Sequence, residues 1–360
     1  MANKVCHISD SCRWEDTSSG AVKAGPDARR RREWRTLRDT SDLYAGWYDP
    51  GSGTAVKIEG LTMYLDHYGF RELPFELTPN PRFLFLTAQH REALSTLEYG
   101  LLTGKAITLL TGPAGTGKTT LLQAALESDR CKDLRCIYLR NPSLTRTEFI
   151  QALASRFDLG PEAAASKGRL VEDLEKALVE QRENKGRTAL IVDEAQCLSD
   201  ELLEEIRLLA NIETAEEKLL PVVLAGQPEL SARLSSHRMQ QLKQRVALRC
   251  SIGPMLLSET AGYVKARIEA VGGDPYRLFS REAVILVHES AGGIPRTVSV
   301  ICDNALLTGF ALGHRSIDRE IVLEIVRELD LARRQTAIPS GSSPELDDPM
   351  AEFVREGSND

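Results

Sequence analysis

Residues 106–119 read AITLLTGPAGTGKT, and this stretch decides the fold. Its first part, 106–110, is a short apolar run of strand length. Its second part, 112–119, matches G-x-x-x-x-G-K-[ST] without departure. Glycines there let backbone N–H groups turn inward around a phosphate. The residues that follow, 119–126, carry a helical pattern, and a helix start adds its positive end to such a cradle. The cradle would comprise Gly112, Pro113, Ala114, Gly115, Thr116, Gly117, Lys118, Thr119 and Thr120. Lys118 is placed to reach the β- and γ-phosphates of ATP, and Thr119 to ligate Mg2+. An incidental glycine-rich turn would not need a strand before it and a helix after it; this loop has both.

Downstream, 189–196 reads ALIVDEAQ, an apolar strand ending in Asp193 and Glu194. Adjacent acids just past a buried strand are costly unless they have partners or work. With a phosphate loop present, Asp193 is expected to hold Mg2+, mostly through water. Glu194 is expected to orient the water that attacks the γ-phosphate, which favours hydrolysis over simple binding. In VVLAGQPEL, 222–230, Gln227 ends a further strand and could touch the γ-phosphate or the water, or be a turn residue before Pro228. In QLKQRVALRC, 241–250, Arg245 precedes a strand-like run. In a ring or filament it could reach a neighbour's γ-phosphate; otherwise it is a surface arginine, and Arg249 is the weaker alternative. In GGIPRTVS, 292–299, Pro295 starts a helix and Arg296 sits at its N-terminus. The dipole disfavours a cation there, so an anionic partner such as a nucleotide phosphate is expected.

Working outward, apolar runs at 136–139, 189–192, 220–225 and 246–252 predict four more strands. Helical patterns at 88–103, 146–156, 170–181 and 200–209 fall between them. Strands alternating with helices, each strand almost wholly apolar, predict a parallel sheet covered on both faces. After Pro254 the pattern is all helical, at 259–270, 281–291, 295–312 and 318–331. Residues 1–62 differ in texture: they hold Trp14, Trp34, Trp47 and the basic run 29–32, with no sustained period. They are either a nucleic-acid arm or, the favoured reading, a disordered leader or sequence ahead of a true start at Met63. The expected division is therefore leader 1–62, α/β core 63–255, helical lid 256–332 and disordered tail 333–360.

The 360 residues are 42% hydrophobic, enough for a real core, with a formal net charge of -7. That charge argues against a surface made wholly for nucleic acid, while leaving room for a local basic patch. The seven cysteines include no CxxC pair, so zinc-ligand spacing is absent and reduced thiols are expected. No apolar run approaches the ~18–20 residues that span a bilayer. The expectation is a cytoplasmic protein, taken to any membrane by a partner.

The segment MYLDHYGFRELPFELTPNPRFLFLTAQHREAL, 63–94, resembles the N-terminal signature of the general secretion pathway protein A (ExeA-like) family of AAA+ ATPases. The blocks 208–230 and 241–260 resemble that family too, so the likeness covers about Met63 to Leu331. A more distant similarity is to the origin-recognition branch. The resemblance implies a P-loop NTPase (AAA+) α/β fold: a three-layer core with a five-stranded parallel sheet and a small all-helical C-terminal lid. It implies ATP and Mg2+ as ligands and a homo-oligomer. It assigns Arg245 as the trans-acting finger, Arg296 as the lid arginine called sensor 2 and Gln227 as sensor 1; His90 and Arg91 fall in a block near adenine, where a plain helix start is the alternative. Three functions remain open: an ATPase that energises or regulates a secretion or envelope apparatus, a DNA-associated switch using Lys243, Arg245 and Arg249, and a nucleotide-gated interaction protein.

Overall fold

The structure is a computed structural model that describes residues 59–77, 83–140 and 143–331. The expectations for the leader up to residue 58 and for the tail after residue 331 lie outside the described residues. The sheet is built from β1 (Ile107–Thr111), β2 (Leu134–Leu139), β3 (Arg187–Val192), β4 (Val222–Gly226) and β5 (Val246–Ser251). Its order is β2-β3-β4-β1-β5, and every pairing is parallel. Helices α1 (Glu59–Tyr68), α2 (Ala88–Leu102), α3 (Lys118–Glu127), α4 (Arg146–Arg156) and α5 (Pro161–Ala165) come first. They are followed by α6 (Lys167–Glu183), α7 (Asp200–Leu209), α8 (Pro228–Leu234) and α9 (Gln240–Arg245). The C-terminal helices are α10 (Leu257–Ala270), α11 (Pro275–Leu278), α12 (Arg281–Ala291), α13 (Pro295–Leu312) and α14 (Arg319–Glu328).

Strand side chains alternate between faces, and the core follows that period. Leu190 and Val192 of β3 join Val222 and Leu224 of β4 in one cluster, closed by Leu153, Leu174, Leu203 and Leu230 from the helices. Ala189, Ile191, Val223 and Ala225 point the other way, onto Leu97, Leu101, Leu121 and Leu122 of α2 and α3. Three layers result. The expected two-sided covering holds for the central strands, but β5 alternates half-buried and exposed residues because it is an edge. Strand β4 starts at Val222 rather than the expected Leu220. Pro221 has no N–H for the ladder, although its carbonyl still accepts from Leu190 at 3.0 Å.

The register sets the geography of the site. Thr111 pairs with Gly226 and Val192 with Leu224, so β1, β3 and β4 end at one edge of the sheet. Gly112, Asp193 and Gln227 follow those ends and emerge side by side. Val246 pairs with Ile107, so Arg245 enters β5 at the opposite edge. At ~3.3 Å per residue the two edges are roughly 13–16 Å apart.

The C-terminal helices enclose their own apolar cluster, in which Val284, Val287, Ile301 and Val322 meet Tyr64 of α1, Phe70 and Phe75. The Tyr68 hydroxyl donates to the Leu306 carbonyl at 2.8 Å, fixing α1 on α13. Helix α1 begins ahead of Met63, where the regular sequence was expected to open.

Asp303 lies on α13 at the margin of this cluster. Burial, and then the nearby Glu76 carboxylate, push its carboxyl from 3.8 up to about 6. The unfolded chain thus ionises first as pH rises. Stability from this group is complete below 3.8 and is lost as pH climbs through 6. Asp303→Asn should match wild type near pH 4 and exceed it at pH 7 by on the order of 1–3 kcal/mol, read by urea unfolding at both pH values.

Candidate active site

The glycine-rich loop runs from the end of β1 into α3. Its shape depends on Gly115 at φ +80° and Gly117 at φ +98°, a region open to glycine at little cost. A Cβ on Gly115 would stand 2.9 Å from Arg296 Cβ and 3.0 Å from the Ile294 side chain. The loop and the start of α13 are therefore in direct contact, and the Arg296 N–H donates to the Gly115 carbonyl at 3.2 Å.

Lys118 is buried, and its ammonium donates to the carbonyls of Gly112 at 2.8 Å and Pro113 at 3.0 Å. Desolvation lowers its pKa, opposed by Glu194, Asp193 and Glu229. The cation is thus held against its own loop and surrounded by acids. Thr119, one residue on, donates its hydroxyl to Asp193 Oδ2 at 2.7 Å. Tyr138 of β2 donates to the same oxygen at 3.0 Å, and Asp193 Oδ1 accepts the Glu194 N–H at 2.9 Å. Burial and the Asp193 charge push the Tyr138 phenol well up, so it stays a donor. A hydroxyl and a carboxylate meeting on the loop make a set of hard oxygen donors that suits Mg2+.

Glu194 takes a left-handed backbone, φ 54°. Its Oε2 accepts from Gln196 Nε2, and Gln196 Oε1 accepts the Gln227 N–H at 3.1 Å. Gln196 therefore links the acid after β3 to the residue after β4. Arg233 braces it by donating to the Gln196 carbonyl at 2.9 Å and to Asp200.

These groups border a cleft of about 330 Å3. The loop residues Gly115 to Thr120, Glu194, His90 and Arg296 line it. Gly112 and Pro113 back onto a groove on the other side of the loop, and Ala114 is exposed at the tip. Asp193 is buried behind Thr119. His90 is buried under the loop, with Nε2 donating to the Thr116 carbonyl at 3.0 Å and Nδ1 2.7 Å from Thr87 Oγ1. Arg91 comes next on α2, ~100° further round the helix. It turns away and donates to the Leu86 carbonyl at 2.8 Å, outside the cleft. Gln227 approaches only through its backbone link to Gln196, and its side chain is not part of the cleft wall. Arg245 is exposed at the far edge of the sheet, near Glu213.

Tyr138 and Gln196 were not singled out from the sequence. Gln196 stood in the quoted ALIVDEAQ block, two residues past Glu194, and that was its signal. Missed as well was the apolar part of the wall: Phe83, Phe85, Met255 and Tyr263, with Arg267 beside them. Among the described residues no cluster of three or more His, Cys, Asp or Glu side chains forms a metal site. No helix among them is long and apolar enough to cross a membrane.

A parallel sheet in this order, a phosphate loop after β1 and an acid pair after β3 define a P-loop NTPase of the AAA+ class. Residues 102–234 match the AAA domain family. The chain is similar to the general secretion pathway protein A (ExeA-like) proteins, which carry an AAA+ domain of this kind. It is 38% identical over 262 residues to general secretion pathway protein A of Aeromonas hydrophila, covering 72% of this chain and 48% of that protein. The chain thus spans about half the length of that relative. Among solved structures it resembles the Aeropyrum pernix ORC2 protein, TM-score 0.55 at 15% identity, covering 72% of each chain. It also resembles CDC6P from Pyrobaculum aerophilum, TM-score 0.55 at 18% identity, covering 71% of this chain and 70% of that one. These structural likenesses concern the fold.

Proposed function

We propose that the chain binds ATP with Mg2+ in this cleft and hydrolyses it between assembled copies. The observation that carries this reading is the direct Thr119–Asp193 pair beside buried Lys118 and Glu194. Lys118 exchanges its loop carbonyls for the β- and γ-phosphate oxygens. Thr119 and Asp193 are the residues that hold Mg2+, which when bound neutralises charge on the phosphates. Glu194 accepts a hydrogen bond from the attacking water, aligns it and takes its proton. Gln196 holds the Glu194 carboxylate and the Gln227 backbone in register. Arg296, on the first turn of α13, reports on the phosphate end from the lid side. In domain terms, 63–255 carries the nucleotide and 256–332 closes over it.

Arg245 is too far from its own loop to serve it, so in an assembly it would serve the loop of a neighbouring copy. The finer reading follows the family: the cycle energises or times assembly of a secretion or envelope apparatus from the cytoplasmic side, a partner bringing the protein to any membrane. The trans arrangement makes the test. Arg245→Ala should bind ATP as wild type does and turn it over at least ~10²-fold more slowly. Adding Lys118→Ala chains, which keep Arg245, should restore turnover by supplying the missing arginine. Wild-type turnover per chain that stays flat across protein concentration, with no restoration on mixing, would refute the shared site.

A further inference from the structure

Arg267 of α10 borders the cleft, yet the phosphate chemistry does not use it. It is buried, 8% exposed, and no carboxylate pairs with it among the described residues. Its guanidinium lies 4.9 Å from the Phe83 ring centroid and 5.4 Å from that of Tyr263. Its Nε donates to the Tyr263 hydroxyl at 3.0 Å, and one Nη donates to the Glu76 carbonyl at 3.1 Å. The Tyr263 and Ser299 hydroxyls share a bond of 2.7 Å. Ser299 is three residues beyond Arg296 on α13, so both fall on one helical face.

A buried guanidinium without an anion is costly unless its fork and its planar faces are used. Here the fork spans two chain segments, reaching Glu76 on one side and Tyr263 on the other, and the guanidinium carbon lies over two aromatic rings. Phe85 adds an edge contact to Tyr263 at 6.1 Å. Aromatic walls of this kind accept a planar base, because every base has a π-face. The phosphate loop occupies the other part of the same cleft.

We propose that Arg267 is a positioning residue for the base of the bound nucleotide. It fixes Phe83 and Tyr263 as the wall against which the base rests, and through Ser299 it ties that wall to the helix carrying Arg296. The inference rests on the nucleotide-binding reading above and adds a residue to it. Its signature is dependence on the base and not on the phosphates. Lysine keeps the charge and loses the planar fork, so Arg267→Lys should fail to substitute.

The experiment compares binding of ATP and of inorganic tripolyphosphate by calorimetry. Arg267→Lys and Arg267→Gln should weaken ATP by about 10- to 100-fold and leave tripolyphosphate within about 3-fold. Lys118→Ala should weaken both. Equal weakening of the two ligands by the Arg267 variants, or unchanged ATP affinity, would overturn the inference while the nucleotide reading stood. Wild type binding neither ligand would overturn that underlying reading. Should the Arg267 variants not fold, Tyr263→Phe keeps the ring and removes only the hydroxyl. It should weaken ATP about 3- to 10-fold and spare tripolyphosphate; unchanged ATP affinity in this variant would also overturn the inference.

Discussion

Lys118→Ala should reduce ATP affinity by roughly 30- to 1000-fold and bring turnover to background. The ammonium is buried and donates to Gly112 and Pro113, and Arg296 closes the loop from the lid side. A bound phosphate would replace two neutral carbonyls with charged oxygens, and charge-assisted bonds are roughly twice as strong as neutral ones. Losing them should cost about 2–4 kcal/mol of binding, each 1.4 kcal/mol being tenfold. The fold should survive, because alanine also removes a buried cation whose desolvation opposes folding. Equilibrium titration with a fluorescent ATP analogue, beside thermal unfolding, separates lost binding from lost structure.

Glu194→Gln should do the reverse: keep ATP and lose its cleavage. Glutamine has the same shape, and its amide oxygen can still accept from Gln196 Nε2. It cannot take a proton from water. General-base loss costs about 10²–10⁴ in rate, while the phosphate contacts of the loop are untouched. Chains should therefore accumulate with ATP bound, and assemblies that form only on ATP should persist. Rapid filtration of bound ATP and phosphate release from the same sample give both halves. A variant that still hydrolyses at a tenth of the wild-type rate would remove Glu194 from the proposed role.

The fold was largely legible because its punctuation is local. The expected helices at Arg146–Arg156, Asp200–Leu209, Arg281–Ala291 and Pro295–Leu312 have the bounds observed. Each start is written in the sequence. Thr145 and Glu148 form a capping box, Ser199 and Ser280 accept the first amides, and Pro295 opens α13. Short helices escaped. In α8 and α9 few apolar positions repeat, and α9 runs directly into a strand. The end of the last helix was overestimated: Asp318 is its cap and the helix stops at Glu328.

The loop end of the candidate site was legible for the same reason, since one contiguous motif and one acid pair form it. The apolar end was not. Phe83, Met255, Tyr263 and Arg267 come from segments far apart in the chain and meet only when the lid helices pack against the N-terminal segment. The role of Gln196 was hidden in the same way. Its two bonds depend on the left-handed turn at Glu194 and on the parallel register that brings Gln227 alongside.

Hydrolysis of ATP with Mg2+ in this cleft is proposed to depend on Lys118, Thr119, Asp193 and Glu194 together. Steady-state phosphate release by the wild-type chain, with Mg2+ and with chelator, at rising protein concentration, tests it most directly. Release should require Mg2+, rise per chain with concentration and vanish in Lys118→Ala. Release that persists in Lys118→Ala or in chelator, or no release at any concentration despite tight ATP binding, would contradict it.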